Sequence, residues 1–143
     1  MAKYEIGLEM GLLDTEELRR FLHERLREKD IPYMYTSVFL TLDKGKEEVI
    51  DTIFYHLQGN YTPDWSKDSV VRLSLIGTIR SKWDLGKISM AECVGYLQKL
   101  NDYFDPDFDC VALGENYRLS QTGFYKEKDF NAMLGKILVQ GIL

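Results

Sequence analysis

Apolar side chains recur at intervals of three and four residues along most of the chain, which is the period of an amphipathic helix. The clearest case is the segment 15–29. Asp14 and Glu17 stand at the two positions of a capping box at its start, and Pro32 lies just beyond its end. Five segments share this period: residues 15–29, 46–58, 67–83, 90–104 and 127–140. No long stretch has the period of two that a half-buried strand requires, so the pattern predicts a helical protein.

The segments between these helices are less regular. A shorter helix carrying Ile6 and Leu8 is expected at the start, with Gly11 as its C-terminal stop. Residues 33–43 and 105–125 fit neither period, and a short hairpin in one of them is the alternative to helix. The fold class is therefore all-α, a compact bundle of about five or six amphipathic helices in a single domain spanning residues 1–143.

Composition narrows the class of protein. Hydrophobic residues make up 45% of the 143 residues and charged residues 29%, which excludes a disordered chain. Nucleic-acid binding normally needs a basic face, so the net charge of −5 argues against a nucleic-acid partner. Cys93 and Cys110 are too few for a disulfide framework, and Cys93 falls on an apolar stripe where thiols are usually inert.

Membrane and export signals are not apparent. No apolar run approaches the roughly 20 residues that span a bilayer. Charges at Lys3, Glu5 and Glu9 interrupt the region where a signal peptide has its apolar stretch. We therefore expect a cytoplasmic protein with no membrane partner.

Motifs for catalysis or metal binding fail at defined positions. His23 begins an HExxH-like sequence, but Arg27 replaces the second zinc ligand. Residues 105–109 resemble the start of a calcium loop, yet Cys110 replaces the turn glycine and Asn116 the bidentate glutamate. There is no GxSxG sequence. The sequence predicts no catalytic residue, cofactor or metal, although a pocket between helices that serves an enzyme or a small-ligand-binding protein remains the alternative.

One acidic segment is distinctive. Residues 101–116 contain five acids and no Lys or Arg, so this segment carries a charge of −5. Aromatic residues alternate with the acids, a composition suited to capturing a basic protein, because charge steers the encounter and aromatic rings anchor it. A solvated acidic loop is the alternative interpretation. The candidate partner-binding residues are Asp102, Tyr103, Asp105, Asp107, Asp109, Glu115 and Tyr117.

The chain also shows a resemblance to a family. The sequence Ile6-Gly-Leu-Glu-Met-Gly-Leu-Leu-Asp14 and the capped helix after it resemble the opening of a family of small, mostly helical, uncharacterised bacterial proteins, some encoded near polymorphic toxins. The shared motif is structural: a helix, a glycine turn and a capped helix. It implies an immunity-like role, in which a small acidic protein binds and blocks a basic toxin domain, and it carries over no catalytic residue.

Three functions are therefore open. The first is a non-enzymatic protein-binding module of the immunity type with a basic partner, and the second is the enzyme or small-ligand-binding protein described above. The third is a subunit that packs into a larger assembly through the apolar residues 33–42. The sequence sets no oligomeric state.

Overall fold

The computed structural model describes residues 1–60, 69–104, 110–123 and 126–140. Every regular element in these ranges is helical, which confirms the all-α prediction. The same ranges contain eight α-helices, so the expected number of five or six is wrong. The helices are α1 (Ala2–Met10), α2 (Thr15–Arg25), α3 (Tyr33–Thr41), α4 (Lys46–Asn60), α5 (Ser69–Asp84), α6 (Met90–Lys99), α7 (Cys110–Thr122) and α8 (Glu127–Gln140).

The additional helices come largely from the two irregular stretches. Residues 33–41 form α3 and residues 110–122 form α7, and no strand occurs in the described part of either stretch, so the hairpin alternative is wrong there. Both helices have a weak apolar period because each has a single fully buried large side chain, Val38 in α3 and Leu113 in α7. Apolar residues on their exposed sides blur the period further.

The chain divides into two compact units, residues 1–64 and 65–143. In the first unit α3 and α1 pack on α4, and α2 packs on α3. The single domain expected from the sequence stays a prediction. The buried cluster of the first unit is aliphatic and draws on all four helices: Leu8, Leu18, Leu22, Val38, Leu42, Val49 and Ile53.

The junction between α1 and α2 follows the sequence prediction closely. Gly11 ends α1 with a φ of 77°, and its N–H donates to the carbonyl of Leu8 at 3.1 Å. Asp14 then caps α2: its carboxylate accepts from the N–H of Glu17 at 2.8 Å, while its own N–H donates to the Glu17 carboxylate at 3.2 Å. Helix α2 ends at Arg25, four residues earlier than expected.

The second unit is built from α5 to α8. Helix α5 packs on α6 and α8, and α7 packs on α6 and α8. A second capping box starts α6, where Ser89 and Glu92 are joined by reciprocal hydrogen bonds of 3.1 Å. The last helix occupies the predicted residues 127–140. Across the described ranges, no helix combines the length and the apolar character needed to cross a membrane.

Candidate functional site

The structure describes only part of the predicted acidic segment. Asp102 ends a 3-10 turn after α6 and is exposed, Tyr103 is half-buried, and Phe104 is buried. The three central acids of the segment, Asp105, Asp107 and Asp109, lie outside the described residues.

The other two candidate residues lie on α7. The Arg118 guanidinium donates to the Glu115 carboxylate, with 3.1 Å between Nε and Oε2, and this hydrogen bond lowers the pKa of Glu115. Tyr117 packs on Phe130, with ring centroids 5.6 Å apart. Within the described residues no hydrogen bond, ion pair or ring contact joins Glu115 or Tyr117 to Asp102. Glu115 is thus ionised and paired with a basic residue just outside the acidic segment.

The net charge of the chain is distributed unequally between the two units. Residues 1–64 contain 13 acidic and 8 basic residues, which leaves −5, whereas residues 65–143 contain 10 of each. The acids of residues 101–116 are therefore offset by basic residues elsewhere in the second unit. The excess negative charge of the chain belongs to the first unit, where any long-range attraction for a basic molecule is strongest.

Helix α3 in the first unit presents an uncharged surface to solvent. None of its nine residues is charged. Tyr33 is 75% exposed and Leu40 is 69% exposed, and their spacing of seven residues places them on one side of the helix. Large apolar side chains on a folded surface are a feature of interaction sites when they are grouped.

Helix α4 extends this surface. Its Tyr55 is 75% exposed, and its half-buried His56 lies against α3. The His56 ring meets the rings of both Tyr33 and Tyr55 edge-on, at centroid distances of 6.1 and 5.6 Å. The hydroxyl of Ser37 lies 3.0 Å from Nε2 of His56. Through His56, these contacts connect Tyr33 and Ser37 of α3 to Tyr55 of α4.

Acidic side chains border this surface. Glu48, Asp51 and Tyr55 are spaced by three and four residues, so they share one side of α4, and both acids are exposed. Among the described residues neither acid forms an ion pair, in contrast to Asp43, which accepts from Arg19 at 2.8 Å. We define the α3–α4 face as the set Tyr33, Ser37, Leu40, Glu48, Asp51, Tyr55 and His56.

The contact between Ser37 and His56 also has the form of a nucleophile and a general base. Acyl transfer additionally needs N–H donors that point at the developing oxyanion. Ser37 lies in the middle of α3, where backbone N–H groups are directed along the helix axis into hydrogen bonds of the helix itself. The contact therefore supplies the nucleophile and the general base of such a site. In the structure it is a hydrogen bond that connects α3 to α4.

The remaining chemical candidates have structural explanations. Cys93 is buried, and burial raises the pKa of its thiol to about 12, which keeps it protonated and unreactive. His23 is exposed at the edge of α2, with its ring 5.2 Å from that of Phe39. No group of three His, Cys, Asp or Glu able to hold a metal occurs in the described residues, and the calcium-like stretch 105–109 lies outside them.

Comparisons with protein-family models, with curated proteins and with solved structures find no match to this chain. The resemblance of residues 6–14 to the family of small bacterial proteins therefore stays a prediction. Two surfaces bear on function: the acidic segment, which the sequence indicates, and the α3–α4 face, of which the sequence indicates only the apolar residues 33–42. The signal available for the second was the uncharged run 33–42 between two charged helices.

Proposed function

We propose that this protein is a non-enzymatic binding protein for a basic protein partner, of the immunity type. The observation that carries the proposal is the combination found in the first unit: an excess charge of −5 together with an uncharged, solvent-exposed face on α3. The charge attracts a basic partner over distance, and exposed tyrosines provide the anchors that slow its dissociation.

The partner class follows from the same charges. A basic protein gains from proximity to the first unit, whereas an acidic protein or a nucleic-acid backbone is repelled by it. An immunity role needs this property together with a surface that covers the partner's own site. The acidic residues of the segment 101–116 support the proposal as a second region suited to cationic side chains.

Affinity capture from the native cell, followed by purification of the captured protein, tests the proposal. We expect a basic partner that forms a defined complex, and an association rate that falls several-fold when salt is raised, because ions screen the attraction. An acidic partner, or an association rate that does not depend on salt, would contradict the proposal. Retention of a small molecule in place of a protein would favour the second function.

For the enzyme form of this second function, one observation favours acyl transfer. The distance of 3.0 Å between Ser37 Oγ and His56 Nε2 is within the range at which a histidine accepts a proton from an attacking hydroxyl. Covalent labelling of Ser37 by a fluorophosphonate distinguishes this function from binding alone.

A further inference from the structure

We infer that the α3–α4 face is the docking surface for the partner, and that its occupant is a cationic amphipathic segment. The inference rests on the proposed function, which it deepens by naming the surface and the chemistry of the segment that it accepts.

The exposed Tyr33, Leu40 and Tyr55 form an apolar ridge, and the spacing of the first two matches the repeat of a helix that packs on them. Tyr33 and Leu40 are separated by two helical turns, or roughly 10 Å along α3, with Ser37 between them. Tyr55 widens the ridge toward α4. A partner helix whose apolar residues repeat every three or four positions covers such a ridge over two of its own turns, which is the usual way an amphipathic helix is recognised.

The acids on α4 set the sign of the partner. Residues 46–57 contain one lysine against three acids, and Glu48 and Asp51 share the side of the helix on which Tyr55 lies. Both carboxylates are exposed and carry no ion pair within the described residues, so they are available to lysine or arginine side chains. A second copy of this chain would bring these acids against another unit of charge −5, which opposes self-association.

His56 holds the surface in a fixed form. Its hydrogen bond with Ser37 and its ring contacts with Tyr33 and Tyr55 restrain the aromatic side chains before any partner arrives. Binding then loses less side-chain freedom than it would on a surface of mobile residues, and this pre-organisation favours affinity.

An NMR titration of the ¹⁵N-labelled full chain tests the inference with a defined probe: a synthetic amphipathic helix of leucine and lysine. We expect the largest amide shift changes within residues 33–41 and 48–56. The same peptide with glutamate in place of lysine should produce none. Shift changes centred on residues 101–116, or equal effects of the two peptides, would overturn the inference.

Two variants and a matched control sharpen the test. Affinity for the lysine peptide should fall at least about tenfold in Tyr33→Ser/Leu40→Ser. In Glu48→Gln/Asp51→Asn the affinity should fall and should depend less steeply on salt. The control Val70→Ser/Val139→Ser removes equally exposed apolar side chains from the second unit and should leave affinity unchanged. Thermal unfolding of each variant verifies that the fold is retained.

The outcomes separate the inference from the proposed function. If the captured partner binds both α3–α4 variants normally but not Asp105→Asn/Asp107→Asn/Asp109→Asn, the surface is wrong and the function stands. If no basic partner is captured, the proposed function fails whatever the peptide does. Concentration-dependent shifts at the α3–α4 face without peptide would identify a second copy as the occupant and overturn the inference.

Discussion

Gly7 and Leu13 approach so closely that no side chain fits at position 7. A Cβ atom built on Gly7 would overlap Leu13 Cδ1 and lie 2.8 Å from Leu13 Cγ. The N–H of Leu13 donates to the carbonyl of Gly7 at 3.0 Å, so backbone and side chain both fold back on the same residue. This contact sets the path by which the chain leaves α1 and enters the capped start of α2.

Replacement of Gly7 by alanine should therefore destabilise the protein. Leu13 is buried and has little room to move, so overpacking should lower the free energy of unfolding by about 1 to 3 kcal/mol. Gly77, in the interior of α5, is the matched control, because its Cβ would meet nothing within 4 Å. Gly77→Ala should raise the free energy of unfolding by about 0.5 to 1 kcal/mol. Urea denaturation measures both, and a stabilising Gly7→Ala would contradict the close approach.

Stability should also depend on the buried carboxyl group of Glu5. Glu5 is 6% exposed and its Oε2 has no partner in the described part of the chain. Burial, and secondarily the charge of Glu9, raise the pKa of Glu5 from 4.5 to about 7, while the N-terminal amine acts in the opposite direction. The folded protein therefore favours the protonated carboxyl.

The sign of the effect follows from this shift. Stability should be greatest below pH 4.5 as far as Glu5 is concerned, and this contribution should be lost as the pH rises to about 7. Glu5→Gln should stabilise the protein at pH 8 by up to about 3 kcal/mol and have little effect at pH 4. Thermal unfolding at the two pH values tests this, with the exposed Glu24→Gln as control. An equal effect of Glu5→Gln at both pH values would show that the carboxyl group does not titrate in this range.

The hydrogen bond between Ser37 and His56 should act in stability rather than in catalysis. Ser37→Ala should cost about 1 kcal/mol of unfolding free energy, because the half-buried hydrogen bond between Ser37 and His56 is lost. A fluorophosphonate should not label the wild-type protein, and mass spectrometry reports this directly. Labelling that Ser37→Ala abolishes would establish the second function, that of an acyl-transfer enzyme.

Cys93 should remain unreactive while the protein is folded. Its thiol is buried and its pKa is raised to about 12, first by desolvation and then by the charge of Asp84, so the reactive thiolate is scarce at pH 8. In a Cys110→Ser variant, reaction with a disulfide reagent should proceed only as fast as the protein opens. Fast, stoichiometric reaction without denaturant would show that the site is accessible.

Local signals account for the parts of the fold that the sequence predicted well. Gly11, Asp14 and Ser89 act on backbone groups within four residues of themselves, so their roles can be recognised without the tertiary structure. The sequence predicts the end of α2 four residues too late, because polar and charged residues continue beyond Arg25. The chain turns there instead, and Asp30 adopts a φ of 60° before Pro32.

The two candidate surfaces differ in how far they can be predicted from the sequence alone. A run of acids is a property of consecutive residues, so the segment 101–116 could be recognised from the sequence. The α3–α4 face depends on residues far apart in the chain, such as Ser37 and His56, which lie 19 positions apart. The sequence predicts the apolar residues 33–42 as a packing surface, but it cannot join them to α4, because their contact with His56 depends on the tertiary structure.

The unequal division of charge bears on the distance at which a cationic molecule distinguishes the two units. With an excess of −5 in residues 1–64 and acids and bases balanced in residues 65–143, such a molecule meets a net opposite charge near the first unit and charges that cancel near the second. Since counter-ions shorten the reach of the field to about 8 Å at physiological ionic strength, this difference acts only over the last part of the approach.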